Sequence, residues 1–125
     1  MKPVLLVALG GALGSVARWA VAGWVHRLSP TSTFPWGTLT VNIVGSFAIG
    51  ALLTLALERA LVSPNARLFL VTGVLGGFTT FSAFSWESLA LARDAQWPAA
   101  LAYVFGSLAA GLLAAFAGAM LATRI

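Results

Sequence analysis

Four apolar runs of nearly membrane-spanning length divide the chain, and short polar segments separate them. The runs cover residues 4–24, 38–57, 68–91 and 99–122. Each is close to the ~20 residues that a helix needs to cross a hydrocarbon core of about 30 Å. The runs lack the alternation of polar and apolar residues that is typical of a membrane β-barrel. The pattern therefore predicts an all-α integral membrane protein with four transmembrane helices in one domain, residues 1–125.

The third run contains a glycine-broken and hydroxyl-rich segment, LVTGVLGGFTTFSAFSWE, over residues 70–87. Its three glycines each weaken a helix by roughly 1 kcal/mol relative to Ala, and the β-branched Thr79 and Thr80 follow at once. We therefore expect the third helix to break near Gly76–Thr79, while close packing of the glycines is an alternative explanation. Backbone without helical hydrogen bonds is tolerated at mid-membrane only inside protein or beside a cavity, and its free carbonyls suit a hard cation.

Smaller signals concern helix packing and helix ends. Gly10 and Gly14 form a small-xxx-small pair, which predicts close approach of another helix. Thr38 is expected to cap the second span with its hydroxyl. Arg18 lies before the end of the first span, where it either snorkels to headgroups as an anchor or lends positive potential to an anion vestibule.

Composition supports a membrane protein, because 60% of the residues are hydrophobic and only 8% are charged, against about a quarter in soluble domains. The formal charge of +4 comes from basic residues scattered at helix ends, so we expect lipid-border anchors and no nucleic-acid partner. Four basic residues on one side of the membrane against two or three on the other give a weak positive-inside bias. Orientation is therefore poorly specified, and insertion both ways up is possible.

The sequence offers no set of residues suited to catalysis. It has no cysteine, one histidine, His26, in a connection, and three acids that are far apart. Glu87, one turn from the end of the third run, is expected to be solvated at the border. Because nucleophile–base pairs, paired carboxylates and metal-ligand clusters are all missing, we expect the chain not to be an enzyme.

The polar side chains predicted to lie inside the membrane are neutral hydrogen-bond donors: Asn42, Ser46, Thr79, Thr80, Ser82, Ser85, Tyr103 and Ser107. Such donors can replace the water around an anion, and the edges of aromatic rings such as Phe81 and Phe84 are electropositive. Interhelical hydrogen bonds and ordinary core or lipid contacts are the alternatives for these residues. Without an internal acid, a passive channel fits better than a proton-driven pump. Four spans are too few to enclose a pore, so we expect a homodimer.

Three segments carry a resemblance to a known family: GGALGSVAR from Gly10, GTLTVNIVGSFAIG from Gly37 and GGFTTFSAF from Gly76. Together with the four-span layout they resemble the Fluc/CrcB fluoride channels over essentially the whole chain. The resemblance implies an antiparallel dual-topology homodimer in the cell (inner) membrane, with two fluoride pores and a structural sodium ion at its centre. Fluoride that enters as HF and ionises in the cytoplasm leaves passively, and no protein partner beyond the second copy is required.

The resemblance also implies roles for particular residues. The pore residues are Asn42, Phe81, Phe84, Tyr103 and Ser107, to which we add the hydroxyls of Thr80 and Ser82. The backbone carbonyls of Gly76 and Thr79, doubled by the second copy, hold sodium, and Arg18 belongs to the vestibule. Relatives often carry hydroxyls where this chain has Ala83 and Gly111, so its track of hydroxyls is shorter.

Two other interpretations compete with a fluoride channel. A small multidrug-resistance exporter also has four spans, but it needs a membrane-embedded acid, and the first span here has none. A non-transporting assembly subunit would use the small residues only for packing. In that case Phe81, Phe84 and Asn42 are replaceable without loss of any flux.

Overall fold

The computed structural model describes residues 1–125, and all regular secondary structure in it is helical. The elements in chain order are α1 (Lys2–Leu28), α2 (Trp36–Leu57), α3 (Pro64–Arg67), a π-helical segment (Leu68–Leu75), α4 (Gly76–Phe78), α5 (Phe81–Arg93) and α6 (Trp97–Ala122). They form four helical spans that are long and apolar enough to cross a membrane, the third running over Pro64–Arg93. The predicted four-helix fold is confirmed.

The helices extend a few residues beyond the apolar runs because prolines and caps define where they start. A proline occupies the first turn of α1, α3 and α6, where its missing N–H costs nothing. The side chain of Ser63 caps α3 by accepting from the amide of Ala66. The predicted capping role of Thr38 is wrong, since α2 begins at Trp36 with Pro35 at its N-cap and the Thr38 hydroxyl bonds elsewhere.

The third span breaks where the sequence predicts, at the junction between α4 and α5. Thr79 and Thr80 have extended backbones, with φ/ψ of −82°/160° and −152°/119°. Thr80 also caps α5, its hydroxyl accepting from the amide of Ala83 at 3.2 Å. Upstream of the break the chain is π-helical, and the amide of Gly76 donates to the carbonyl of Val71, five residues back. Such segments are rare and often lie at functional sites.

Glycines let α1 pack directly on the backbone of the third span. A Cβ on Gly10 would lie 2.5 Å from the carbonyl oxygen of Phe69, and one on Gly14 would collide with the carbonyl of Val74. On the facing surface, a Cβ on Gly77 would lie 2.5 Å from the carbonyl oxygen of Gly11. The predicted small-xxx-small contact is therefore confirmed.

Glycines also let α2 and α6 pack backbone against backbone, and these two helices form the most extensive helix pair in the chain. A Cβ on Gly50 would collide with the carbonyl of Ala115, and one on Gly118 with the carbonyl of Phe47. The two pairs, α1 with the third span and α2 with α6, leave a groove beside the helix break between them.

Little of the chain is buried within a single copy. Only 15 of 125 residues are buried, whereas Phe81, Phe105 and Leu113 are between 63% and 79% exposed. Apolar exposure on this scale indicates that lipid or another chain covers the outer surface.

Replacing Ala95 by glycine is expected to stabilise the fold. Ala95 follows α5 with φ of 58°, a left-handed conformation that costs a residue with a Cβ about 1–2 kcal/mol. Because glycine also gains freedom in the unfolded chain, the expected net gain in the free energy of unfolding is about 1 kcal/mol. Denaturant titration in mixed micelles measures it. The control Ala102→Gly, inside α6, should instead lose about 1 kcal/mol, and a loss in both variants contradicts the strain at Ala95.

Candidate functional site

The helix break is held by one side chain on α2. The carboxamide of Asn42 accepts from the backbone amide of Thr80 at 2.8 Å through Oδ1 and donates from Nδ2 to the backbone carbonyl of Thr80 at 3.0 Å. Thr80 is only 9% exposed, so both of its backbone groups need partners. Asn42 therefore pairs with the broken backbone much as a neighbouring strand does. One amide hydrogen of its NH₂ group remains.

The break redirects two amides and thereby frees two carbonyls. In an unbroken helix the amide of Thr80 donates to the carbonyl of Gly76, but here it donates to Asn42. Likewise the amide of Ala83, which would otherwise reach the carbonyl of Thr79, is held by the Thr80 hydroxyl. The Thr79 carbonyl faces the guanidinium of Arg18, whose Nη1 lies 3.5 Å away. These two carbonyls are the ones that the resemblance implies as sodium ligands.

A groove of about 460 Å³ runs along the break and is walled by α2, the third span and α6. It brings together seven of the ten predicted site residues: Asn42, Gly76, Thr79, Thr80, Phe81, Phe84 and Ser107. Ser46 and Gly111 also line it. Every side chain in its wall is uncharged, so the polar contribution comes from hydroxyls, one carboxamide and the freed backbone.

Aromatic rings follow directly after the break because α5 begins at Phe81. The ring centroids of Phe81 and Phe84 are 5.6 Å apart with their planes at 40°, and Phe84 lies 5.2 Å from the ring of Tyr103. Phe81 is 79% exposed, whereas Phe84 is half-buried. The position of the break therefore sets where both rings meet the groove.

Ser107 stands out among the groove residues. Its hydroxyl oxygen is buried and has no hydrogen-bond partner in the chain. Burying a hydroxyl without a partner costs about 1–3 kcal/mol. An unpaired donor in the wall of a groove is suited to binding a ligand.

A second hollow, of about 590 Å³, holds the two predicted residues Arg18 and Ser82, which lie outside the groove. Thr80 and Thr38 line it too, and the hydroxyls of Thr80 and Ser82 lie 3.3 Å apart. Thr80 therefore borders both spaces. Ala83, where the resemblance implies a hydroxyl, lies in this hollow rather than in the groove.

Tyr103 is the predicted site residue that reaches neither space. It is fully buried, and its hydroxyl donates to Oε2 of Glu87 at 2.7 Å. The hydroxyl of Thr38 donates to Oε1 of the same carboxylate, also at 2.7 Å. Glu87 is half-buried, and both its carboxylate oxygens accept hydrogen bonds between α2, α5 and α6, so the carboxylate is more enclosed than the sequence predicts. That Tyr103 lines an ion path stays a prediction.

Sequence reasoning missed this Thr38–Glu87–Tyr103 cluster, although one signal points to it. Glu87 lies three residues after Phe84, so the two side chains share a face of α5. Since Phe84 faces Tyr103 in the interior, the same helical spacing places Glu87 inward.

The comparison with known protein families decides the family. The family described as CrcB-like protein, Camphor Resistance (CrcB), matches residues 5–119. The chain belongs to the CrcB family. With its four apolar helices, this CrcB chain is a multi-pass membrane protein.

Similar curated proteins carry one name, "Fluoride-specific ion channel FluC". A protein from Thermus thermophilus is 59% identical over an alignment that spans 91% of this chain and 88% of the relative. A protein from Chlorobium chlorochromatii is 52% identical, and the alignment spans 92% of this chain and 88% of the relative. One from Rhizobium meliloti is 50% identical and covers 94% of both chains.

Removing the Asn42 carboxamide should destabilise the break. Asn42→Leu keeps the approximate volume but leaves the buried amide and carbonyl of Thr80 without partners, at an expected cost of about 2–3 kcal/mol in the free energy of unfolding. The same titration in mixed micelles measures it. Ser46→Ala, one turn further along α2 in the same groove, is the control and should change stability by less than about 1 kcal/mol. Equal losses in the two variants contradict a stabilising role for the two hydrogen bonds between Asn42 and Thr80.

Proposed function

We propose that this chain is a passive, fluoride-selective ion channel that exports fluoride from the cytoplasm and so lowers its toxicity. The observation that carries the proposal is the groove beside the helix break, whose wall holds neutral donors, an aromatic pair and the unpaired hydroxyl of Ser107. The relatives, at 50% identity or more, are named as ion channels and not as enzymes.

The groove can exchange the water around a small anion for protein donors. The Ser107 hydroxyl and the remaining amide hydrogen of Asn42 replace part of the hydration shell, while the ring edges of Phe81 and Phe84 supply positive potential without a full charge. A path without fixed charge binds the anion weakly enough for it to leave again, which conduction requires. Arg18, in the second hollow, raises the local anion concentration at the vestibule.

Passive export needs no energy source beyond the membrane potential. An inside-negative potential favours the exit of an anion by about 2.3 kcal/mol per 100 mV. Proton-coupled exchange, as in the multidrug exporters, needs an acid that alternates between protons and substrate. The one acid between the helices, Glu87, has both oxygens occupied by the hydroxyls of Thr38 and Tyr103, which favours a structural role for it.

The conducting unit is an antiparallel homodimer with both orientations in the cell (inner) membrane. Support comes from the groove itself, which is open along one side, and from Phe81, 79% exposed beside it. A second copy related by a two-fold axis encloses two such grooves and forms two pores. The weak charge bias between the two ends is consistent with insertion both ways up.

A structural sodium ion sits where two breaks meet in that dimer. The carbonyls of Gly76 and Thr79 have lost their helical donors, and backbone oxygens are suitable ligands for a hard cation. One chain offers too few of them, so the second copy supplies the rest. The guanidinium of Arg18, 3.5 Å from the Thr79 carbonyl, has to withdraw when sodium binds because the two charges repel.

Fluoride efflux from proteoliposomes, followed with a fluoride electrode, tests the function. The parent chain should release fluoride rapidly and retain chloride. Phe81→Ile and Asn42→Ala should lower the fluoride rate by at least about tenfold, because they remove a ring edge and a donor from the path. Phe105→Ile, the same change at an exposed ring outside the groove, is the control. Rapid release at equal rates in the parent and all variants means that Phe81 and Asn42 do not line the path, and no release by the folded parent leaves only an assembly role for the chain.

Single cysteines test the topology cleanly because the chain has no cysteine of its own. In sealed vesicles prepared from cells, a membrane-impermeant maleimide should label about half of Ile125→Cys and about half of Ala95→Cys, which lie at opposite ends. Labelling of one variant and not the other means a single orientation. The molecular mass of the protein in mild detergent should then be that of a dimer. The mass of a monomer contradicts the two-pore arrangement.

Gly76→Ala tests the central ion site. Within one chain a Cβ at Gly76 meets only the Val71 carbonyl oxygen, at 3.9 Å, so the fold tolerates it and gains about 1 kcal/mol of helix propensity. In a dimer whose helix breaks meet at the Gly76 carbonyl, the added methyl group obstructs the partner chain. The stability of the dimer and the dependence of that stability on sodium should therefore both fall. Gly23→Ala, with open space around it, is the control. An unchanged sodium dependence in Gly76→Ala excludes this site.

A further inference from the structure

A smaller hollow lies at the end of the bundle where α1 and α5 finish. This end hollow has a volume of about 170 Å³. Its wall contains Phe34 and Glu87, together with His26, which is exposed. The end hollow therefore reaches water, and it is polar and large enough to hold water.

The side chain of Tyr103 lies between the end hollow and the groove. Its ring centroid is 5.2 Å from that of Phe84, which lines the groove, and 5.5 Å from that of Phe34, which lines the end hollow. Its hydroxyl donates to Glu87, another wall residue of the end hollow. Tyr103 is fully buried and lines neither space. An anion that moves between the groove and the end hollow therefore has to displace this side chain.

Phe34 supports Tyr103 from the connection between α1 and α2. The planes of the two rings meet at 79°, which is the edge-to-face geometry that aromatic pairs prefer. On the other hand, the Phe34 ring also contacts Trp36, with centroids 4.5 Å apart. The hydroxyl of Thr33 donates to Oε1 of Gln96 at 2.8 Å and so ties this connection to the one between α5 and α6. The connection thus holds an aromatic ring against Tyr103 on the side of the end hollow.

These contacts limit how far Tyr103 can move. Because protein interiors are close-packed, its ring can withdraw toward the end hollow only into space that Phe34 does not fill. Fluoride is the smallest halide, so it needs a smaller displacement of the ring than chloride does. The bulk of Phe34 therefore limits the size of the anion that can pass Tyr103.

We propose that Phe34 is a specificity-determining residue that acts by positioning Tyr103, and that it excludes anions larger than fluoride from the passage between the groove and the end hollow. The inference rests on the proposed function, because it concerns the selectivity of a fluoride path. All the contacts that support it lie within one chain. In an antiparallel dimer each copy therefore carries the same pair of rings, one pair toward each face of the membrane.

Chloride release from proteoliposomes tests the proposal, with fluoride release measured on the same preparations. Phe34→Ala should release chloride at least about ten times faster than the parent and should still release fluoride, because truncation of a packed ring leaves space behind Tyr103. Phe34→Tyr keeps the ring and should retain chloride. Phe47→Ala is the matched control and should retain chloride too. Phe47 is 38% exposed on α2 and lines neither the groove nor either hollow.

NMR of the Tyr103 ring gives a readout that does not depend on conduction. Tyr103 is the only tyrosine of the chain, so isotope-labelled tyrosine reports on this one side chain. The rate at which its ring flips should rise in Phe34→Ala and keep the parent value in Phe47→Ala. An unchanged rate in Phe34→Ala, or an equal rise in both variants, contradicts a positioning role for Phe34.

The outcomes separate this inference from the proposed function. Retention of chloride by a Phe34→Ala preparation that releases fluoride overturns the inference, and so does chloride release by Phe47→Ala. If Phe34→Ala does not fold, Phe34→Leu replaces it, with a smaller rise in chloride release expected and full retention again contradicting the inference. Failure of the proposed function has a different signature, because the folded parent then releases no fluoride.

Discussion

The two hydrogen bonds between Asn42 and the backbone of Thr80 determine the shape of the site. Without them, extended backbone inside the membrane has no partner, and the third span gains by closing into a continuous helix. With them, the carbonyls of Gly76 and Thr79 are released and α5 starts at Phe81. The neutral groove, the aromatic pair and the proposed sodium ligands all follow from that one interhelical contact.

The sequence predicts those features that arise from local chemistry. Clustered glycines followed by β-branched threonines indicate the break, and Gly10 with Gly14 indicates close packing. The sequence does not distinguish the roles of the neighbouring glycines. Gly77 packs against α1, whereas a Cβ on Gly76 would meet only the Val71 carbonyl oxygen, at 3.9 Å. Adjacent residues of a helix point about 100° apart. The π-helical turn that precedes these two sets which of them faces α1, and such a turn has no clear signature in composition.

Contacts between distant helices are the other limit. The ionisable Glu87 looks like a border residue when it is considered along the chain, because it lies one turn from a helix end. In the folded bundle it joins Thr38 of α2 to Tyr103 of α6. Tyr103 is consequently held away from the groove in a single chain. Hydrophobic periodicity indicates which face of a helix is buried, but it does not show which side chains on different helices meet. The contacts of Glu87 are therefore seen only in the packed bundle.

The central claim is that fluoride crosses passively along an uncharged groove. The most direct measurement is fluoride efflux from proteoliposomes under an imposed membrane potential, compared with efflux under an imposed pH difference at zero potential. For a passive channel we expect the rate to follow the potential, with its sign. A pH difference alone, at zero potential, should accumulate no more fluoride than in protein-free vesicles, where HF crosses the lipid and ionises. Proton-driven accumulation of fluoride beyond that of protein-free vesicles contradicts a passive channel and makes Glu87 the group to examine.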